Sequence, residues 1–125
     1  MKMTKTSPAQ ELERFLNYVE ACTQEYRLAY DAVNQEDRRL QDLVHDMEFA
    51  RDKAERNRIA TRLHNSRVLR RQNKDIVKRD EGLVKFFEDQ NHKATLNKMR
   101  QLLGKQRKEE EYLAGERTYK PRIKD

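Results

Sequence analysis

Basic residues in the middle of the chain are the side chains best suited to bind a ligand. Four of them fall at i, i+4, i+7 and i+11, which is one face of a helix: Arg67, Arg71, Lys74 and Lys78. Arg70 flanks this row, and Arg56 and Arg62 precede it. Guanidinium groups bind phosphate through forked hydrogen bonds. This spacing predicts an anionic ligand, either nucleic acid or a small phosphorylated molecule, and a merely solvated basic face is the alternative.

An aromatic pair, Phe86 and Phe87, follows the basic row and precedes Asn91 and Asn97. Two aromatic residues at this position in a helix normally belong to a core. An aromatic face beside asparagine and arginine can instead stack on a purine while the arginines bind its phosphates. Both interpretations stay open from the residues alone.

The sequence lacks the known constellations for catalysis. It contains no Gly-rich phosphate loop, no G-x-S-x-G, no H-E-x-x-H and no paired-cysteine zinc spacing. His45 and Glu48 offer at most two metal ligands at i and i+3, and a surface histidine beside carboxylates is the simpler interpretation. Glu109 and Glu111 lie in an exposed charge run. We therefore predict a protein that is not an enzyme and uses no metal or cofactor.

Helix signals place these residues on long helices. Ser7, Pro8 and Gln10 form a capping box that starts a first helix over residues 8–34. Asn34 followed by acidic residues predicts a new helix start. Central helices then extend to residue 88, interrupted by a cap at Asp52. A turn at 88–92, a helix over 93–114 ended by Gly115, and an extended tail complete the prediction.

An apolar seam runs along the first helix, and the chain has an acidic segment followed by a basic one. The seam residues are Leu12, Phe15, Val19, Cys22, Tyr26 and Ala29. Residues 9–48 hold ten acidic and four basic residues, a net of −6, whereas residues 51–79 hold eleven basic and three acidic, a net of +8. Segments of opposite sign favour packing against each other, within one chain or between chains.

Composition sets the class of protein. Of 125 residues, 40% are charged and 35% hydrophobic, with 3 Gly and 2 Pro. That balance predicts an all-α single domain over residues 1–125. Together with the helix signals and the seam, it predicts three to four helices and a flexible N-terminus at 1–7. It also predicts coiled-coil-like self-association through the seam and the long central helix. The single Cys22 is expected to be a small buried hydrophobe. Because no apolar run resembles a signal or a membrane span, we expect a cytoplasmic protein.

Four short stretches together resemble a known family. They are residues 45–50 (HDMEFA), 67–75 (RVLRRQNKD), 83–87 (LVKFF) and 117–123 (RTYKPRI). The chain resembles small phage and prophage proteins, and more specifically the first described type of Thoeris anti-defence protein, a sponge for immune nucleotides. The resemblance covers residues 40–125, and the N-terminal 35 residues are outside it.

The resemblance implies a function and a set of site residues. Family members bind a cyclic ADP-ribose isomer, the alarm signal of Thoeris immunity, without degrading it. They are helical and assemble as dimers and in some cases hexamers, and some also hold cyclic di- or trinucleotides of CBASS immunity at a separate interface. The implied roles fall on Phe87 or Phe86 for stacking, Asn97 for polar contacts, Arg62 and Arg117 for phosphates, and Arg27 for a second site.

The expected function is therefore a phage anti-defence protein that acts in the bacterial host cytosol by sequestering this signal. The alternative is a phage regulator or anti-defence protein that binds nucleic acid or a host protein through the basic helix. A coiled-coil structural component is the third class.

Overall fold

Three helices make up the regular structure in a computed structural model that describes residues 5–123. They are α1 (Pro8–Glu48), α2 (Lys53–Glu88) and α3 (Gln90–Ala114). No strand occurs in this range, so the all-α prediction is confirmed there. Residues 116–123 form neither helix nor strand, as the predicted extended tail requires. The predicted flexible N-terminus at 1–7 and the end of the tail fall partly on residues 1–4 and 124–125, outside the described residues.

Local capping explains where the helices begin. The Ser7 hydroxyl accepts from the Gln10 N–H at 3.2 Å while Gln10 Oε1 accepts from the Ser7 N–H at 2.9 Å, a complete capping box. At α2, Asp52 Oδ1 accepts from the Glu55 N–H at 2.8 Å. These contacts satisfy backbone donors that the first helical turn leaves without partners. The predicted starts at Pro8 and near Lys53 are confirmed, as is the end of α3 before Gly115.

The predicted helix start at Asn34 is wrong, because α1 continues without a break for 41 residues to Glu48. The acidic residues taken as a first turn instead make contacts with α2. Glu36 is 4% exposed and accepts a hydrogen bond of 2.5 Å from the Ser66 hydroxyl. Asp37 accepts from Arg70 Nε at 2.6 Å. The predicted turn at 88–92 is too long, because only Asp89 separates α2 from α3. Its carboxylate caps α3 by accepting from the Asn91 N–H.

The chain divides into two compact units, residues 1–18 with 87–125 (unit 1) and residues 19–86 (unit 2). Unit 2 is an antiparallel helical hairpin of α1 and α2. Ion pairs join its helices at Asp37–Arg70 and at Glu25–Arg79, where Oε1 and Nη2 are 2.7 Å apart. Its buried apolar residues are Val19, Cys22, Ala29, Leu43, Ile59 and Val84. The acidic and basic segments therefore pair within one chain, and the predicted burial of Cys22 is confirmed.

Unit 1 joins the first turns of α1 to the second half of α3. Glu110 Oε2 accepts from the Ala9 N–H at 2.9 Å, and Glu13 pairs with Arg107 at 2.8 Å. Hydrogen bonds from the Ser7 hydroxyl, and less strongly from Ala9 and Gln106, lower the pKa of Glu110 despite its partial desolvation. The buried apolar residues of this unit are Ala9, Leu16, Leu96 and Leu103.

Much of the predicted seam is buried within the chain itself. Val19, Cys22 and Ala29 are buried, and Tyr26 is half-buried. The seam residue Phe15 is exposed and Leu12 is half-buried, so association through the seam stays a prediction that these two residues can serve. In residues 5–123, no helix combines the length and apolar character of a membrane span.

Candidate ligand-binding surfaces

The residues predicted to bind a nucleotide are divided between the two units. Phe87, Asn97 and Arg117 belong to unit 1, whereas Phe86 and two arginines belong to unit 2. The two arginines are Arg27 and Arg62. Each unit therefore presents its own candidate binding surface.

In unit 1, each predicted residue has a different neighbour. Phe87 is half-buried, and its ring meets the ring of Phe15 edge-on, with centroids 6.2 Å apart and planes at 68°. Asn97 Oδ1 accepts from Arg100 Nη1 at 2.7 Å. The Arg117 guanidinium lies 5.8 Å from the centre of the Tyr112 ring, a cation–π contact. The edge-to-face contact of Phe87 favours its packing role over base stacking.

Arg62 lies on a concave surface at the closed end of the unit 2 hairpin. This loop-end surface, of about 500 Å³, is formed where α1 ends and α2 begins, and its lining residues are Asp46, Phe49, Glu55, Arg58, Ile59 and Arg62. Sequence reasoning missed Phe49 and Arg58 as candidate ligand contacts. The spacing in the sequence could have identified Arg58, because it lies one helical turn before Arg62 and therefore on the same face of the helix.

A second concave surface, of about 440 Å³, shares Asp46 and Arg62 with the loop-end surface. Arg38 and Arg39 of α1 also line it. Arg39 pairs with Glu36 at 3.3 Å. The two surfaces are also lined by three arginines that form no ion pair with a carboxylate within residues 5–123: Arg38, Arg58 and Arg62. Arginines without carboxylate partners around adjoining concave surfaces are suited to bind a phosphorylated ligand.

Arg27 lines a third concave surface, of about 460 Å³, between the middle of α1 and the end of α2. Tyr26 and Tyr30 line the same surface, and the centroids of their rings are 6.0 Å apart. Lys85 also lines it and pairs with Glu81 at 2.9 Å. This surface combines aromatic, basic and acidic groups, as the loop-end surface does. The two differ in that Lys85 is engaged by Glu81, whereas Arg58 and Arg62 form no ion pair with a carboxylate in the described residues.

The basic row of α2 faces solvent. All four of its members are exposed: Arg67, Arg71, Lys74 and Lys78. Arg70 and Arg79 on the same helix instead bind Asp37 and Glu25 of α1. Hydrogen bonds to Asp80 and then Glu25, together with the charges of these two carboxylates, raise the pKa of Arg79 above its already high ordinary value.

The described part of the chain holds no group of three or more His, Cys, Asp or Glu side chains arranged to bind a metal ion. His45 Nδ1 lies 3.8 Å from a carboxylate oxygen of Glu48, and His92 Nδ1 lies 3.8 Å from one of Asp89. Comparisons with protein-family models, curated proteins and solved structures found no match to this chain.

Proposed function

We propose that this protein is a phage anti-defence protein that sequesters a cyclic ADP-ribose-type immune signal without degrading it. The observation that carries the proposal is Arg62, which lines two adjoining concave surfaces and has no carboxylate partner among residues 5–123. Two phosphate groups of such a ligand supply the anionic partner that this arginine lacks. The resemblance to Thoeris anti-defence proteins provides the ligand class.

Sequestration needs affinity and abundance rather than chemistry. The ligand binds, stays intact and is kept from its receptor, so each protein molecule removes a fixed number of signal molecules. Such a protein requires no catalytic residue, cofactor or metal, and it acts where the signal is made, in the host cytosol. Cyclic di- or trinucleotides are further candidate ligands, for which Arg27 and its concave surface are the proposed contact.

Calorimetry with cyclic ADP-ribose isomers tests this function. We expect Arg62→Gln to weaken binding by about 1.5–3 kcal/mol, because a charge-assisted contact to phosphate is lost. Arg117→Gln and Asn97→Ala report whether unit 1 contributes. If Phe87 stacks on the base, Phe87→Ala costs binding about 1–3 kcal/mol; if it packs on Phe15, the variant lowers the melting temperature and leaves affinity unchanged.

Two controls accompany this experiment. Ligand released from the complex by heating should be recovered unchanged, and a cleaved product would reveal an enzyme instead. If the unmodified protein binds no cyclic ADP-ribose isomer at micromolar concentration, the proposed function is wrong.

The second candidate function is nucleic-acid binding through the basic row of α2. The observation in its favour is that Arg67, Arg71, Lys74 and Lys78 are all exposed on one helix face. In that case duplex DNA, and not a cyclic nucleotide, should raise the melting temperature. Affinity should also fall steeply with salt, because each phosphate contact releases counterions.

We also propose that the protein self-associates, as a dimer or a larger assembly. Leu102 and Leu113 support this, because they are half-exposed on α3 and lie eleven residues apart, on the same side of the helix. Light scattering should give at least twice the mass of one chain. Leu102→Glu should lower that mass, whereas Gln101→Glu, with the same added charge on a neighbouring exposed residue, should not. A single-chain mass for the unmodified protein at micromolar concentration would rule out the assembly.

A further inference from the structure

The loop-end surface combines two arginines that lie one helical turn apart. Arg58 and Arg62 are both exposed and both line it. Side chains at i and i+4 are neighbours, and two like charges at this spacing destabilise an isolated helix slightly. A bound dianion removes that repulsion and offers each guanidinium a partner. The pair is therefore arranged at some cost to the helix and is suited to a phosphate group.

Phe49 provides an aromatic face at the same surface. It is 74% exposed, directly after the last residue of α1. Ile59, which is buried, lines the same surface from α2. An exposed phenylalanine beside a pair of arginines matches the aromatic and anionic halves of a nucleotide.

The neighbouring carboxylates limit which anions fit. Glu55 accepts from the Arg51 N–H at 3.2 Å and so helps to cap α2. Asp46 lies on both concave surfaces, where it repels a phosphate placed against it but accepts a hydrogen bond from a sugar hydroxyl. Arg38, which also lines the second surface, is available for another phosphate.

We infer that the loop-end surface is a nucleotide site in which Phe49 stacks on the base and Arg58 and Arg62 bind phosphate. The inference rests on the proposed function, and it assigns the ligand to residues other than Phe87 and Asn97. The ligand class is a nucleotide with two phosphate groups. One phosphate lies between Arg58 and Arg62, and the second reaches Arg38 across the shared residue Arg62. The sugar hydroxyls face Asp46.

Calorimetry with cyclic ADP-ribose isomers, repeated with ADP, tests the site. Arg58→Gln should weaken binding by about tenfold or more, the effect of losing one charge-assisted phosphate contact. The matched control is Arg56→Gln, which removes the same charge from an exposed position of α2 that does not line the surface. It should change affinity by less than about threefold, the share expected from long-range electrostatics alone. Phe49→Ala should weaken binding by about fivefold or more, and Phe49→Tyr should restore it.

The outcomes separate this site from the function on which it rests. If cyclic ADP-ribose binds and the variants at Arg58 and Phe49 bind it as tightly as the unmodified protein, the site is wrong and the function stands. If no cyclic ADP-ribose isomer binds, the function is wrong and ADP decides the site: binding that depends on Arg58 but not on Arg56 supports it. Failure of ADP to bind in that case overturns the site as well. Circular dichroism of each variant verifies that the helices are intact.

Discussion

Leu43→Ala should lower the free energy of unfolding by about 2–5 kcal/mol, the range for truncating a buried leucine. Leu43 is 1% exposed, the least of the large side chains in the described residues. It lies on α1 opposite the start of α2, where the hairpin of unit 2 closes. Removing its side chain takes away buried apolar contacts and leaves a cavity between the two helices, and both effects destabilise the hairpin. Urea denaturation followed by circular dichroism measures the loss.

The control for this variant is Gln41→Ala, two residues earlier on the exposed side of α1. It should change stability by no more than about 0.5 kcal/mol, as is usual for surface positions. If Leu43→Ala costs no more than the control, the hairpin interior does not stabilise the chain. The stability would then come from unit 1 or from contacts between copies, and in the second case it should depend on protein concentration.

Ser66→Val should destabilise the protein by about 1–3 kcal/mol, because it leaves a buried acceptor without its hydroxyl donor. Ser66 and Glu36 are both 4% exposed, and they bond to each other at 2.5 Å in the interior of the hairpin. Valine replaces the hydroxyl by a methyl group and adds a second one, so the loss combines the missing hydrogen bond with the cost of one extra buried methyl group. Arg39 pairs with the other Glu36 oxygen at 3.3 Å, so it still compensates part of the negative charge of the buried carboxylate in the variant.

The double variant Ser66→Val with Glu36→Met provides the decisive comparison. Replacing both partners by apolar groups should recover most of the loss, since no buried carboxylate then lacks a donor. The two changes should therefore be clearly non-additive. Thr61→Val is the control, because its hydroxyl donates to the Asn57 carbonyl at an exposed position. Equal losses for Ser66→Val and Thr61→Val would show that burial of the Glu36–Ser66 pair has no energetic consequence.

Much of the fold was determined by local sequence. The capping box at Ser7 and Gln10, the cap at Asp52 and the stop at Gly115 were predicted correctly because each depends on hydrogen bonds within a few residues. The buried position of Cys22 followed from the spacing of the apolar seam. Local geometry and periodicity are properties of the sequence itself, so they can be predicted without knowing the partner helix.

The continuity of α1 through Asn34 could not be predicted in this way. Asn, Glu and Asp at 34–37 are also the residue types of a helix start. Their actual role depends on Ser66 and Arg70, some thirty residues later in the chain. A carboxylate used as a cap and a carboxylate buried against a neighbouring helix look identical in sequence, so only the hairpin distinguishes them.

The candidate site shows the same division. The sequence by itself determined that this protein is all-helical, that a basic segment follows an acidic one, and that Arg62 is a candidate phosphate contact. Tertiary structure alone decided which basic side chains remain for a ligand, because pairing with α1 engages Arg70 and Arg79 but leaves Arg58 and Arg62 without carboxylate partners in the described residues. It also brought Phe49 beside them, since chain reversal after α1 places residues from two helices around one concave surface.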